Sequence, residues 1–232
     1  MKTQDEQKLR APGAVLLDMD GTLVDTEPWW FEAERAYTER FGGTWSEDDA
    51  LASVGAALIQ TTRRLEEITG SGETHQQISD FLIGYLLGKY ESRGLPWRPG
   101  MQELSSRLHS QGVPMALVTS SHRPLADAVE SLFPEGFFGA VISADDVSKL
   151  KPHPEPYLAA MTELGVRPED SVAIEDSSSG LDSALASGAN VIGIPCMTGI
   201  EPAPGLSRVA GADQLTDRVL ARIAAGEVVD LL

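Results

Sequence analysis

Hydrophobic residues follow a helical period in one long segment of the chain and form short apolar runs elsewhere. After an apolar run at residues 15–17, apolar side chains from Pro28 to about Phe41 recur with the spacing of one helix face. The helical patterns lie at residues 28–41, from Ser46 onward, at 58–69 and at 74–92. Residues 28–95 are therefore predicted to be helical, without a strand.

From Met101 onward, apolar runs of strand length alternate with helical segments. The predicted strands cover residues 114–119, 140–143, 171–175 and 190–194, and the predicted helices cover 101–110, 124–132, 155–164, 180–187 and 213–225. Strands that alternate with helices form a parallel sheet that is covered on both faces. The predicted class is therefore α/β, with a Rossmann-like parallel sheet and helices on both faces.

The two patterns together predict a core that is interrupted by an insertion. The α/β core comprises residues 1–27 and 96–232, and the helical block at 28–95 is an inserted α-helical cap domain. The Gly94–Gly100 segment contains two prolines and is expected to lead the chain back to the core. We expect the first dozen residues, which are terminal and largely polar, to be disordered.

Composition narrows the classes of partner. The net charge of −17 argues against a nucleic-acid or anionic-membrane surface. Cys196 is the only cysteine, which excludes an intrachain disulfide and fits a reducing cytoplasm. The sequence shows neither a signal peptide nor an apolar run of about 18 residues that would span a membrane. We expect a cytoplasmic protein, monomeric or weakly dimeric, with no nucleic-acid or membrane partner.

Polar side chains that could take part in catalysis or metal binding cluster where the predicted strands end. They are Asp18 and Asp20 after the first strand, Thr119 and Ser120 after the second, Lys151 in the loop after the third, and Glu175 and Asp176 at the end of the fourth. Ligands of open α/β sheets bind beyond these carboxyl ends. Buried carboxylates need a metal ion, a lysine or a shared proton nearby. Oxygen ligands without a thiol suit Mg²⁺, and hydroxyl and ammonium donors suit phosphoryl oxygens.

Taken singly, each of these residues has an ordinary structural explanation, such as a turn, a helix cap or a surface lysine. Their order and spacing as a set resemble the four motifs of the haloacid dehalogenase (HAD) superfamily. The matching segments are Asp18-Met19-Asp20-Gly21-Thr22, Leu117-Val118-Thr119, Lys151-Pro152-His153-Pro154 and Ile174-Glu175-Asp176-Ser177. The helical insertion and the Asp-Thr-Glu that follows the first motif are most similar to the β-phosphoglucomutase-like subgroup with a small α-helical cap.

The resemblance implies a role for each matched side chain. Asp18 would be the nucleophile that forms an aspartyl-phosphate, and Asp20 the general acid and then the base for water. Thr119, with Ser120 beside it, would bind phosphoryl oxygens. Lys151 would offset the negative charge of the nucleophile and of the phosphoryl group.

The same resemblance implies a magnesium site. Asp18, the backbone carbonyl of Asp20 and Asp176 would hold Mg²⁺, and Glu175 would contribute directly or through a water molecule. With this ion, we expect a phosphoric monoester hydrolase whose substrate is a small phosphorylated metabolite, for example a sugar phosphate.

Two alternatives stay open. β-Phosphoglucomutase has a histidine where Trp30 stands here, so a hexose-phosphate mutase is the second enzyme hypothesis, weakened by that difference. A non-catalytic binding or regulatory protein on the same fold is the third. The second acid, Asp20, argues against dehalogenase activity, since dehalogenases of this superfamily lack it.

Substrate choice is expected to depend on the helical cap. The candidates to face the site are Trp29, Trp30, Arg63, Arg64 and Trp97. The ordinary alternative is that the tryptophans pack in the interior of the cap and that the arginines face solvent. Asp25 and Thr26 are predicted to anchor the connection to the cap and to cap the helix that begins near Pro28.

Overall fold

The structure is a computed structural model that describes residues 10–53 and 58–232. The predicted disorder of the first dozen residues concerns mainly residues 1–9, which lie outside the described residues. Within the described ranges, no helix is both long enough and apolar enough to cross a bilayer.

A single parallel sheet organises the described part of the chain. Its strands are β1 (Ala14–Leu17), β2 (Met115–Val118), β3 (Ala140–Ile142), β4 (Ser171–Glu175), β5 (Asn190–Gly193), β6 (Leu206–Val209) and β7 (Asp230–Leu231). The order across the sheet is β3-β2-β1-β4-β5-β6-β7. β1 lies between β2 and β4, with Leu17 in register with Leu117 on one side and Ile174 on the other. The ends of these three strands therefore meet at one edge of the sheet.

Helices cover both faces of the sheet. On one face lie α5 (Met101–Ser110), α6 (Arg123–Glu130) and α9 (Asp217–Ala224), and on the other α7 (Glu155–Leu164) and α8 (Ser178–Ala186). Alternate β1 residues point to opposite faces, since Val15 and Leu17 join the first core while Ala14 and Leu16 join the second. The predicted α/β class, with a Rossmann-like sheet, is confirmed.

The described residues between β1 and α5 form four helices. They are α1 (Glu27–Arg40), α2 (Glu47–Ser53), α3 (Leu58–Thr69) and α4 (His75–Arg93). α1 packs against α3 and α4, and the fully buried side chains of Tyr37, Leu65 and Leu82 belong to the same apolar cluster as one face of the sheet. Ser46 caps α2 as predicted, because its hydroxyl accepts the backbone N–H of Asp49 at 3.1 Å.

The segments before α1 and before α5 run side by side in antiparallel directions. The backbone N–H of Asp25 donates to the carbonyl of Pro96 at 2.6 Å, and the N–H of Arg98 donates to the carbonyl of Leu23 at 3.1 Å. Val24 and Trp97 form the bridge between these bonds. The connection that was predicted near Asp25 is thus held by backbone hydrogen bonds.

The C-terminal part differs from the sequence-based expectation. The predicted helix at 213–225 begins later, because a 3₁₀ turn at Ala212–Gln214 precedes α9 and the hydroxyl of Thr216 accepts the N–H of Val219 at 3.3 Å. The strands β6 and β7 were not predicted. Both are short, and a pair between Arg208 and Asp230 at 2.7 Å joins them, so their pairing depends on tertiary contacts and not on an apolar pattern.

Candidate active site

A tight turn after β1 places the two predicted acids in one cavity. β1 ends at Leu17, so the strand does not continue through Asp18 and Asp20. The chain turns here, and the carbonyl of Met19 accepts the N–H groups of Leu23 and Val24. Both acids nevertheless line the same cavity of about 910 Å³, a volume that includes its open mouth.

Gly21 makes this turn compatible with the site. Its φ of +84° lies in the left-handed region, which side chains disfavour. A Cβ atom at this position would lie 2.3 Å from Oδ2 of Asp176. The missing side chain therefore lets the first loop approach the carboxylate at the end of β4.

Lys151 joins the ends of three strands. Its Nζ donates to Oδ1 of Asp18 at 2.7 Å, to Oε1 of Glu175 at 2.6 Å and to the carbonyl of Val118 at 2.9 Å. Its side chain is only 3% exposed. Although burial alone would lower the pKa of Lys151, the carboxylates of Asp18 and Glu175 raise it above its usual value. The side chain is therefore an ammonium at neutral pH.

Glu175 is held from both sides. Its Oε1 also accepts the hydroxyl of Tyr157 at 2.6 Å, and its Oε2 accepts the N–H of Asp176 and the hydroxyl of Ser177, each at 3.2 Å. Gly180 packs against this carboxylate so closely that a Cβ atom would lie 2.0 Å from it. Both oxygens thus have protein donors, and the direct effect of Glu175 is to fix Lys151.

Asp18 has a different environment at each oxygen. Oδ1 accepts Lys151, whereas Oδ2 is buried and has no hydrogen-bond partner among the described residues. Burial raises the pKa of the Asp18 carboxyl well above its usual value, Glu175 and Asp176 raise it further, and Lys151 opposes them. An ionised Asp18 therefore needs more positive charge than one lysine provides.

The donor set fits a hard divalent cation. Asp18, Glu175 and Asp176 are buried, and each offers an oxygen within 4.8 Å of the others. Burial and the neighbouring Glu175 raise the pKa of Asp176 to about 7, against the hydrogen bond that Thr22 donates at 3.1 Å. Three clustered carboxylates with one ammonium leave an excess of negative charge, and oxygen-only ligands suit Mg²⁺.

Hydroxyl groups orient Asp20. Its Oδ1 accepts Thr26 at 2.5 Å, and its Oδ2 accepts Ser121 at 2.7 Å and Thr119 at 3.4 Å. The prediction that the Thr26 side chain caps the helix is wrong: Thr26 occupies the cap position of α1, but its side chain makes no capping bond. It binds the carboxylate of Asp20 instead.

The structure brings only part of the predicted substrate-binding set to the cavity. Trp30 and Ser120 line it, as Thr119 does. Trp29 is buried against Tyr90, with ring centroids 5.3 Å apart, and Trp97 packs edge-on against Phe133 at 5.4 Å.

The two arginines lie outside this cavity. Arg63 is exposed. Arg64 is also exposed, and its guanidinium pairs with Asp49 at 2.8 Å and Glu67 at 3.5 Å. The cavity lining contains no arginine among the described residues. The expectation that Arg63 and Arg64 face the site is therefore corrected: both follow the ordinary alternative of a solvent-facing position.

Two acidic residues in the cavity were missed by the sequence analysis. Glu27 and Glu34 share one face of α1 with Trp30, at the spacing i, i+3, i+7. Burial raises the pKa of Glu27 to about 8, with further contributions from Asp20 and Asp176. This spacing relative to Trp30 was the signal that could have identified them.

Comparison with known proteins identifies the family. A family model described as a haloacid dehalogenase-like hydrolase matches residues 15–194. The chain belongs to this family. The family membership that the four motifs indicated is therefore confirmed: the protein is a haloacid dehalogenase-like hydrolase.

Relatives of this hydrolase have names that agree with the predicted enzyme class. A phosphorylated carbohydrates phosphatase of Thermotoga maritima is 32% identical over 75% of this chain and 81% of the relative. Hexitol phosphatase A of Escherichia coli is 32% identical over 77% of this chain and 81% of the relative. A solved structure of a putative beta-phosphoglucomutase from Thermotoga maritima is 28% identical, with a TM-score of 0.67 over 94% of this chain and 93% of that one.

The close packing at Gly180 yields a first prediction. Gly180→Ala should lower the free energy of unfolding by more than about 2 kcal/mol, because the methyl group must displace the carboxylate of Glu175. Gly84→Ala in α4 is the matched control; nothing lies within 4 Å of its Cβ position, so it should be stabilising by about 0.5–1 kcal/mol. Urea unfolding measures both, and a Gly180→Ala protein as stable as the wild type would contradict the packing.

The buried Glu34 yields a prediction about pH. Burial raises the pKa of Glu34 from 4.5 to about 7, against a hydrogen bond from Ser53. A raised carboxyl pKa costs stability as pH rises through this interval, because the folded protein resists ionisation. Between about pH 5.5 and about pH 8.5, the stability of Glu34→Gln relative to wild type should increase by an amount on the order of 2 kcal/mol.

Urea unfolding in EDTA at both pH values measures this difference. Glu39→Gln, on an exposed part of the same helix, provides the control, and its relative stability should not change with pH in this way. A constant difference between Glu34→Gln and wild type would refute the raised pKa.

Proposed function

We propose that this chain is a Mg²⁺-dependent phosphatase that hydrolyses a small phosphorylated metabolite through an aspartyl-phosphate on Asp18. One observation supports this most strongly. Lys151 binds one oxygen of Asp18, while the other oxygen is buried without a hydrogen-bond partner among the described residues. A carboxylate that is oriented by an ammonium and has one uncommitted oxygen is suited to nucleophilic attack.

The metal ligands are proposed from the oxygen donors around Asp18. Asp18, Asp176 and the backbone carbonyl of Asp20 would hold Mg²⁺. Glu175 would act through water, since both its oxygens already accept protein donors. When bound, the ion supplies positive charge that keeps Asp18 ionised and offsets the charge of the phosphoryl oxygens.

The residues of the chain would perform two displacements at phosphorus. Asp18 attacks the phosphoryl group while Asp20 protonates the leaving alkoxide, so that the substrate departs as an alcohol. Asp20, now a carboxylate, then takes a proton from water, which attacks phosphorus and releases phosphate and Asp18. Lys151 offsets the negative charge throughout, and Thr119 and Ser120 donate to phosphoryl oxygens.

The hydroxyl groups around Asp20 support its proposed role. Thr26 and Ser121 hold the two oxygens of the carboxylate by separate hydrogen bonds. A general acid must keep a fixed position relative to the leaving oxygen, and these bonds restrict its rotation. The block at residues 28–95 would act as a cap that excludes water from the reacting group.

Trp30 favours water over a sugar hydroxyl as the acceptor. Its side chain lines the cavity at the position where β-phosphoglucomutase has a histidine. An indole cannot act as a general acid or base at neutral pH. A mutase would instead form isomerised sugar phosphate when a bisphosphate activator is present, and a binding protein would show neither reaction.

Removal of the nucleophile is the first test of this proposal. Asp18→Asn should reduce Mg²⁺-dependent phosphate release by at least about 10³-fold, because an amide cannot form the acyl phosphate. Phosphate release from an aryl phosphate and from a panel of sugar and polyol phosphates measures the loss. Circular dichroism controls for folding, and appreciable residual turnover would disprove the assignment of Asp18.

Replacement of the metal is the second test. Activity lost in EDTA should return with Mg²⁺, and added Ca²⁺ should inhibit, because calcium prefers more ligands and longer distances than magnesium. Steady-state rates with either ion measure the effect. Equal rates with Ca²⁺ and Mg²⁺ would count against the proposed site.

A further inference from the structure

We infer that Glu27 and Glu34 are specificity residues, which select a substrate with an uncharged polyhydroxyl chain beyond the phosphate and reject one with a second negative charge. This inference rests on the proposed phosphatase function and defines the class of its substrate. It concerns the part of the cavity that α1 contributes.

The cavity face of α1 leads away from the reaction centre. The helix begins next to Thr26, whose hydroxyl binds the carboxylate of Asp20. From there Glu27, Trp30 and Glu34 follow on one face of the helix. With a rise of 1.5 Å per residue, the first and last of these lie about 10 Å apart along the axis. A substrate whose phosphate is at Asp18 would therefore extend its remaining atoms along this row.

The charges along the cavity disfavour a second anion. Among the described lining residues, Lys151 is the only lysine or arginine, and it is paired with Asp18 and Glu175. His122 also lines the cavity, but its Nδ1 is bonded to Asp145 at 2.8 Å. A distal phosphate or carboxylate would thus lie near Glu34 without a counter-ion, and a carboxyl group supplies no positive charge in either protonation state.

The same side chains suit hydroxyl groups. A carboxylate accepts hydrogen bonds from several hydroxyls, and such charge-assisted bonds are stronger than neutral ones. Glu34 is 2% exposed, and Ser53, which donates to it at 3.3 Å, and Thr61 also line the cavity. Trp30 offers an apolar ring surface against which the C–H groups of a carbon chain can pack. Acids, hydroxyls and one ring together match a polyol or an uncharged sugar.

A matched pair of substrates tests this inference. Glucitol 6-phosphate and 6-phosphogluconate have the same carbon chain and phosphate, and differ in whether C1 is a hydroxymethyl group or a carboxylate. With Mg²⁺ present at about pH 8.5, where Glu34 is ionised, kcat/KM should be at least about tenfold higher for glucitol 6-phosphate, because the carboxylate adds an uncompensated charge. In Glu34→Gln this ratio should fall toward one, mainly through KM, since the amide no longer repels the carboxylate.

Controls separate this inference from the proposed function. Glu39→Gln, the same substitution on the exposed part of α1, should keep the wild-type ratio. Glu27→Gln provides a second variant if Glu34→Gln does not fold. Hydrolysis of phenyl phosphate, which has no hydroxyl chain, reports the chemistry alone; its absence would overturn the proposed function. Phenyl phosphate hydrolysis with equal kcat/KM for the matched pair, or with an unchanged ratio in both variants, would overturn only the inference.

Discussion

The buried ammonium of Lys151 is the interaction on which the rest of the site depends. It donates hydrogen bonds to the carboxylate of Asp18 after β1, to the carboxylate of Glu175 at the end of β4 and to the backbone carbonyl of Val118 at the end of β2. The three groups meet because β2, β1 and β4 are adjacent and parallel in the sheet. Tyr157 of α7 and Gly180 of α8 hold the carboxylate of Glu175 in place. The position of Lys151 therefore depends on how these two helices pack on the sheet.

One lysine does not neutralise the acids that surround it. Burial and repulsion from neighbouring carboxylates raise the pKa values of Asp18 and Asp176. Keeping these groups ionised in the folded protein therefore costs free energy. Three carboxylates and one ammonium leave two negative charges, which a bound divalent cation would neutralise. Lys151 and such a cation would place the positive charge of the cavity at the reacting phosphoryl group, whereas the part of the cavity along α1 is lined by the acids Glu27 and Glu34.

The acids, the lysine and the hydroxyls of the site could be predicted from the sequence because each lies at the end of a strand or in the loop after one, and strand ends of a parallel sheet converge. The sequence could not distinguish Trp29 from Trp30, since adjacent residues of one helix face different neighbours and only the packing of α1 decides which ring meets Tyr90. Thr26 is of a residue type that commonly caps helices, but its hydroxyl donates to the carboxylate of Asp20 instead. The strands β6 and β7 were missed for a related reason, because pairing across the sheet defines them and their apolar runs are too short to do so.

Chemical trapping can show whether the phosphoryl group is transferred first to Asp18. The Mg²⁺-loaded protein would be mixed with phenyl phosphate, quenched in acid during turnover and treated with borohydride, which reduces an acyl phosphate to an alcohol. Peptide mass spectrometry should then find homoserine in place of Asp18, and no such conversion when phenyl phosphate is left out. Sustained phosphate release with residue 18 unmodified, or with the conversion at another acid, would show that Asp18 is not the nucleophile.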